Sequence, residues 1–164
     1  MRYHDITYHD MKNGDGLRVV LWLAGCSHHC HGCQNPVTWD PDDGILFDWK
    51  AKSELYGYLA EEYCAGITLS GGDPLFEGNR AEVRELLASI KHDFPCKDVW
   101  LYTGYLWEDV RDFDLMRYVD VLVDGKFVEE LKDNTLHWKG SSNQRVIDVK
   151  RSLEAGCAVR WYTA

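Results

Sequence analysis

The sequence predicts an α/β fold: a partial, open β/α barrel of about six parallel strands, with its functional site at the carboxyl ends of those strands. Two observations predict it. Short apolar runs alternate with amphipathic stretches, and the runs are apolar on both faces, as buried parallel strands are. About six strands are too few for a closed eight-stranded barrel. The 164 residues are expected to form one domain, residues 1–164.

The predicted strands are short runs rich in Val, Leu and Ile. They cover residues 18–24, 67–70, 99–103, 119–124, 145–149 and 159–162. Strands that alternate with helices along a chain usually lie side by side, with the helices packed against the sheet. This alternation is the basis of the α/β prediction.

The predicted helices lie between these strands. Residues 81–91 place apolar side chains at spacings of three and four, which is one face of a helix: Val83, Leu86, Leu87 and Ile90. Residues 53–63 show a similar pattern, with Ser53 as a candidate N-cap. Residues 107–118 and 150–155 are less regular helical stretches, and Gly156 is expected to end the second of them.

The charge balance excludes several classes of partner. Eighteen Lys and Arg residues stand against 27 Asp and Glu residues, for a net charge of −9. Such a chain is poorly suited to nucleic acid or to anionic membranes, which are bound mainly through basic side chains. No apolar run approaches the ~20 residues of a membrane-spanning helix, and residues 1–10 show no signal-peptide pattern. We therefore expect a cytoplasmic protein, in which cysteines act as thiols or metal ligands rather than as disulfides.

Three cysteines directly follow the first predicted strand. Cys26, Cys30 and Cys33 have the spacing C-x3-C-x2-C. Three thiolates suit a cubane 4Fe–4S cluster with one open iron, whereas clusters used for simple electron transfer usually have four cysteine ligands. The alternative is a structural zinc site, which needs a fourth ligand. That ligand would be one of the neighbouring histidines, His28, His29 or His31. The spacing alone leaves both alternatives open.

Three further cysteines are scattered along the chain and form no second C-x2-C pair: Cys64, Cys96 and Cys157. An isolated cysteine is most often a small buried apolar residue. We predict that role for each of them.

Polar and glycine-rich motifs stand at two other strand ends. Gly71, Gly72 and Asp73 follow the second predicted strand, where backbone groups could meet the ammonium group of an amino-acid ligand and Asp73 could neutralise it. The alternative for this motif is an ordinary turn. Asp124 and Lys126 end the fourth strand and could contact a ribose or a carboxylate, or could simply be a polar strand end.

The loop before the fifth strand, residues 140–145, offers hydroxyl, amide and guanidinium donors that suit a carboxylate, and its alternative is a solvated loop. The joint placement of the other motifs is informative. The cysteine loop and both strand-end motifs lie just past the carboxyl ends of predicted strands, where α/β folds collect their ligand sites. A zinc knuckle would not require the other two motifs.

These residues resemble the radical S-adenosylmethionine superfamily and, within it, the glycyl-radical activating enzymes. The C-x3-C-x2-C motif is the signature of the superfamily, and the resemblance covers residues 13–148. The stretch 33–39, with its Asn and Trp, is similar to the segment that follows the cysteines in these enzymes. Residues 124–127 and 142–148 resemble the subset that activates the anaerobic ribonucleoside-triphosphate reductase, and Asp73 stands where the wider superfamily usually has Glu.

The resemblance implies a radical S-adenosylmethionine oxidoreductase. Its implied cofactors are a 4Fe–4S cluster on Cys26, Cys30 and Cys33, and S-adenosylmethionine chelated to the open iron. The implied contacts of that ligand are Gly71, Gly72 and Asp73 at its amino end, and Asp124, Lys126 and Asn143 at its ribose and carboxylate. Reductive cleavage would give methionine and a 5′-deoxyadenosyl radical.

That radical would take a hydrogen atom from a glycine of the reductase's glycyl-radical subunit, and a one-electron donor such as flavodoxin is also implied. The alternatives are activation of another glycyl-radical enzyme or radical chemistry on a small molecule. Outside enzymes, the alternative is a zinc-binding interaction module.

Overall fold

A computed structural model describes residues 1–161 and has seven strands in one open sheet within that range. The strands are β1 (Arg2–Asp10), β2 (Arg18–Leu23), β3 (Ile45–Leu46), β4 (Gly66–Gly71), β5 (Asp98–Tyr102), β6 (Val121–Asp124) and β7 (Arg145–Asp148). The α-helices of the described residues are α1 (Trp49–Leu59), α2 (Arg80–Asp93), α3 (Trp107–Val110) and α4 (Val149–Ala155). Among them, none is long and apolar enough to cross a bilayer. The α/β prediction is confirmed.

The sheet is only partly parallel. Its strand order is β3-β1-β2-β4-β5-β6-β7. The four central strands β2, β4, β5 and β6 run parallel, whereas β1, β3 and β7 pair with their neighbours antiparallel. The prediction of about six parallel strands was therefore wrong for the outer strands. The partial barrel itself stays a prediction.

The two edges of the sheet account for the difference between the predicted parallel strands and the observed, partly antiparallel sheet. The strand predicted at 145–149 exists as β7 but runs antiparallel to β6, because the connection between them brings the chain back without a crossover helix. The run predicted as a strand at 159–162 contributes one antiparallel bridge, from Arg160 to Ile147, and Tyr162 lies outside the described residues. β1 was not predicted, since its nine residues mix polar and apolar side chains without a long apolar run.

The main core lies between one face of the sheet and the helices. It joins alternate residues of the central strands, such as Leu21, Leu69 and Leu101, to apolar residues of α1 and α2. The four residues predicted as the apolar face of residues 81–91 are all buried there, which confirms α2. Because successive side chains of a strand point to opposite faces, Trp100 and Tyr102 lie on the other face, in a second and smaller apolar cluster.

Two helix predictions need correction. α1 begins at Trp49, and its N-cap is Asp48 rather than Ser53; the Asp48 carboxylate accepts hydrogen bonds from the N–H groups of Lys50 and Ala51. The stretch 107–118 is not one helix but the short α3 followed by a 3-10 turn at Asp114–Tyr118. The end of α4 is as predicted, because Gly156 adopts the left-handed conformation that terminates a helix.

Candidate functional site

The three cysteines lie in a loop that leaves β2 and folds back beside it. The N–H of Gly25 donates to the carbonyl of Thr38 at 2.8 Å, and that of Cys26 donates to the carbonyl of Trp39 at 3.0 Å. The loop also contacts the turn after β4, where the N–H of Asp73 donates to the carbonyl of Gly25 at 2.7 Å. The cysteine loop, here residues 24–35, is thus fastened to the carboxyl ends of two adjacent parallel strands.

A cleft of ≈ 560 Å³ opens beside this loop, and Cys26, Cys30 and Cys33 all line it as free, half-buried thiols. Its remaining walls come from β2 and the connection before it, with Lys12, Asn13 and Trp22, and from the turn after β4, the end of β5 and the segment 125–144. Those walls include Gly71, Gly72, Asp73, Thr103, Gly104, Gly125, Phe127, Trp138 and Gln144. The predicted grouping of the cysteine loop with the β4 turn at one edge of the sheet is therefore present.

Backbone N–H groups act on two of these sulfur atoms, those of Cys26 and Cys33. Burial raises the pKa of the Cys26 thiol above its ordinary value, while the backbone N–H of His28 lowers this pKa in part by hydrogen bonding to the sulfur. The N–H of Asn35 lies 3.4 Å from the Cys33 sulfur. Hydrogen bonds to cysteine sulfur are one of the means by which proteins set the potential of a bound iron–sulfur cluster.

The donor set fits a cubane cluster better than a zinc ion. Among residues 1–161, no three His, Cys, Asp or Glu side chains are grouped closely enough to hold one metal ion. Zinc needs four ligands around a single atom, whereas a cubane takes each thiolate on a different iron. His28, a candidate fourth zinc ligand, has its Nε2 2.7 Å from a carboxylate oxygen of Asp73.

The two glycines of the β4 turn allow a close approach of backbones. Gly71 has φ +103°, and a Cβ there would lie 2.6 Å from the backbone nitrogen of Leu23. A Cβ on Gly72 would meet the carbonyl oxygens of Gly25 and Thr38. These contacts explain the motif structurally. Its predicted ligand contacts stay a prediction.

Asp73 lies in the same turn, but its carboxylate is engaged inside the protein. The side chain is buried and accepts hydrogen bonds from Leu75, Thr103, Gly104 and His28. The predicted contact with a ligand ammonium group stays a prediction, and this carboxylate already has several donors.

The other three predicted ligand contacts do not belong to the lining of the cleft. Asp124 is fully buried, and its carboxylate accepts from the N–H of Trp107 at 2.8 Å and from the guanidinium of Arg145. Lys126 and Asn143 are exposed, and the Asn143 amide donates to the Lys126 carbonyl at 2.8 Å. Their neighbours Gly125 and Gln144 form the wall instead, so ligand roles for Asp124, Lys126 and Asn143 remain predictions.

The remaining cysteines divide into two kinds. Cys64 is buried, and its thiol donates to the Gly66 carbonyl at 3.4 Å, which confirms the predicted role. For Cys96 and Cys157 the prediction of burial was wrong, because both lie in exposed turns, one before β5 and one after α4. None of the three lines the cleft.

Sequence reasoning missed the pairing of His28 with Asp73 and the contribution of residues 133–139 to the cleft. His28 was considered only as a zinc ligand. Its partner is 45 positions away, so no local spacing could reveal the contact. The only available signal was the position of a histidine between two cysteines.

The fold and the three-cysteine loop together define an iron–sulfur protein. This class agrees with a family model, described as "4Fe-4S single cluster domain", that matches residues 12–147 of the chain.

Curated relatives narrow the class. The chain is similar to proteins named anaerobic ribonucleoside-triphosphate reductase-activating protein. The protein of that name from Enterobacteria phage T4 is 45% identical over 146 residues, which cover 89% of this chain and 93% of the relative. Those from Vibrio cholerae and Salmonella typhi are 39% and 40% identical over 148 and 150 residues, covering 88% and 89% of this chain and 96% and 97% of the relatives. The chain belongs to the family of anaerobic ribonucleoside-triphosphate reductase-activating proteins, which confirms the resemblance found in the sequence.

Proposed function

We propose that this protein reductively cleaves S-adenosylmethionine at a 4Fe–4S cluster held by Cys26, Cys30 and Cys33, and so generates a glycyl radical on the anaerobic ribonucleoside-triphosphate reductase. The observation that carries the proposal is the presence of three free thiols on one wall of a single cleft, beside a glycine turn at the strand ends. The names of its relatives support the choice of the reductase as partner.

When bound, the cluster supplies the electron that breaks the carbon–sulfur bond of the sulfonium, giving methionine and a 5′-deoxyadenosyl radical that takes a hydrogen atom from the partner's glycine. The protein's own part is to bind, orient and shield. The cleft volume of ≈ 560 Å³ is within the range of small-molecule sites. Its walls include the rings of Trp39, Phe127 and Trp138, which limit the access of water to the reacting groups.

Two backbone walls are proposed to orient the ligand. Gly71 and Gly72 expose main-chain groups beside the cysteines, suited to the amino end of the ligand. On the opposite side, Gly125 and Gln144 face the cleft, and the Gln144 side-chain amide donates to the Gly125 carbonyl at 3.0 Å. In this proposal Asp124, Lys126 and Asn143 act at the ribose and carboxylate end by holding that second wall in place from outside the cleft.

The partner's glycine must reach the cleft. A partial barrel, which we propose for the seven-stranded sheet, leaves one side open for an inserted loop of the reductase. The proposal also requires a one-electron donor such as flavodoxin, and a reducing compartment such as the cytoplasm suits the free thiols.

The test is anaerobic reconstitution with iron and sulfide, followed by chemical reduction and addition of S-adenosylmethionine. We expect an electron paramagnetic resonance signal that changes on adding S-adenosylmethionine, release of 5′-deoxyadenosine, and a glycyl-radical signal when the reductase is present. Zinc without iron in anaerobically isolated protein, or a reconstituted cluster that releases no 5′-deoxyadenosine, would contradict the proposal. Cleavage without any radical on the reductase would remove only the assigned partner.

A further inference from the structure

The carboxylate of Asp73 has no room for another donor. Asp73 is 1% exposed. Its Oδ1 accepts from the N–H of Leu75 at 2.8 Å, and its Oδ2 accepts from the N–H of Gly104 at 3.0 Å. The Thr103 hydroxyl lies within 3.0 Å of both oxygens, and Nε2 of His28 lies 2.7 Å from Oδ2. A carboxylate offers about four lone-pair sites, so these four donors occupy it.

The imidazole of His28 is held on several sides. Its side chain is 8% exposed. The ring packs edge-on against Tyr105, with centroids 4.5 Å apart. The backbone of Gly104 lies against it so closely that a Cβ at position 104 would be 2.4 Å from its Cδ2. Because an ionised carboxylate only accepts, Nε2 carries the hydrogen that points at Asp73.

His28 connects this network to the cysteine ligands. It lies in the same short loop, two residues from Cys26 and two from Cys30, so the position of its ring constrains the backbone that carries both thiols. The other histidine–carboxylate contact of the loop, between His31 and Glu129, is solvent-exposed, with the His31 side chain 91% accessible. Exposed pairs contribute little, so of the two histidine–carboxylate contacts of this loop the buried one, from His28 to Asp73, is the stronger anchor.

We propose that Asp73 and His28 are positioning residues: Asp73 holds the His28 imidazole and thereby aims Cys26 and Cys30 into the cleft, rather than binding the amino group of S-adenosylmethionine. This inference rests on the proposed function for the identity of the cluster and the ligand. In this inference the two side chains act together, so a substitution of either should reduce cluster retention more than it reduces S-adenosylmethionine binding. Loss of supporting contacts behind metal ligands typically weakens metal binding by about 10–100-fold.

The test compares His28→Leu, His28→Gln, Asp73→Asn and the double variant His28→Leu/Asp73→Asn with the wild type, each after anaerobic reconstitution. Three quantities are measured: iron retained against a competing chelator, the electron paramagnetic resonance spectrum of the reduced cluster before adding ligand, and equilibrium binding of S-adenosylmethionine per loaded cluster. His31→Leu is the matched control, since it removes an exposed histidine of the same loop.

We expect His28→Leu and Asp73→Asn each to weaken iron retention by roughly 10-fold or more. The double variant should retain about as much iron as the single variant with the lower retention, because both substitutions remove the same interaction. His28→Gln, which keeps a donor, should recover part of the retention, and His31→Leu should behave as wild type. Binding of S-adenosylmethionine per loaded cluster should stay within about threefold in the single variants, a change of less than 1 kcal/mol.

The opposite pattern overturns the inference. In that pattern Asp73→Asn retains its cluster fully but loses most of its S-adenosylmethionine binding, and His28→Leu retains iron as the wild type does. A wild type that binds no iron would overturn the proposed function as well, which separates the two failures. Circular dichroism of each apoprotein verifies folding. If Asp73→Asn does not fold, the comparison of His28→Leu with His28→Gln decides the matter, and equal wild-type retention in both would reject the positioning role.

Discussion

The backbone of Gly72 lies directly against the carbonyl oxygen of Gly25, so that a Cβ at position 72 would stand 2.4 Å from that oxygen. The contact joins the turn after β4 to the residue that precedes Cys26. Both partners are main-chain atoms, so no flexible side chain can move away to relieve an overlap. The separation between the cysteine loop and this turn is therefore set by the absence of a side chain at Gly72.

Gly72→Ala should displace the cysteine loop from the β4 turn. We expect the forced overlap to cost about 1–3 kcal/mol of folding free energy and to lower the iron bound after reconstitution. Thermal denaturation and iron analysis measure the two effects. The matched control is Gly57→Ala in α1, where a Cβ meets no atom within 4 Å; it should stabilise the protein by about 0.5–1 kcal/mol. Wild-type stability and iron content in Gly72→Ala would contradict the expected overlap.

Removing any one of the three cleft thiols should prevent an intact cluster from forming. For Cys30→Ala we expect loss of the reduced-cluster signal and of 5′-deoxyadenosine release, because each thiolate is proposed to hold a separate iron. Electron paramagnetic resonance and product analysis after anaerobic reconstitution provide the measurement. Cys96→Ala, at an exposed cysteine away from the cleft, should retain both. Full cluster content in Cys30→Ala would remove that residue from the ligand set.

The N-cap of α1 provides a test of the corrected helix start. Asp48→Ala removes the acceptor of the Lys50 and Ala51 N–H groups, and should cost about 0.5–2 kcal/mol of folding free energy. Ser53→Ala, at an exposed position inside the helix, should change stability by less than about 0.5 kcal/mol. Chemical denaturation of both variants measures the difference. Equal effects of the two substitutions would show that Asp48 is not the cap.

Glu108 should make stability depend on pH through Arg145. The two-pronged hydrogen bond from the Arg145 guanidinium, at 2.7 and 3.1 Å, holds the pKa of the Glu108 carboxyl below its ordinary value of 4.5. A pKa lowered by folding means that the ion pair stabilises the protein above the unfolded pKa, and that this contribution is lost as the pH falls through the folded pKa.

Wild type should therefore unfold at a higher temperature than Glu108→Gln near neutral pH, and the gap should shrink as the pH falls below 4.5 and through the lowered pKa of Glu108. Thermal melts across this range provide the measurement, with Glu62→Gln, at an exposed glutamate after α1, as the control. A gap that stays constant down to the lowest pH would show that the ion pair makes no contribution.

The sequence by itself determined the features that depend on neighbouring residues. The apolar period of α2, the helix end at Gly156 and the central strands β2, β4, β5 and β6 could be predicted because side-chain spacing and backbone preference act within a few positions. The three cysteines beside a glycine turn could also be predicted, since the carboxyl ends of parallel strands meet at one edge of the sheet.

The tertiary structure alone decided the pairings between distant residues. The direction of β7, the addition of β1, the burial of Asp124 against Arg145 and the contact of His28 with Asp73 depend on how the chain returns to the sheet. A carboxylate in a sequence can meet a ligand or a buried donor equally well, because its residue type is the same in both roles. Packing made that choice for Asp73, by bringing four donors to it from the cysteine loop, its own turn and the end of β5.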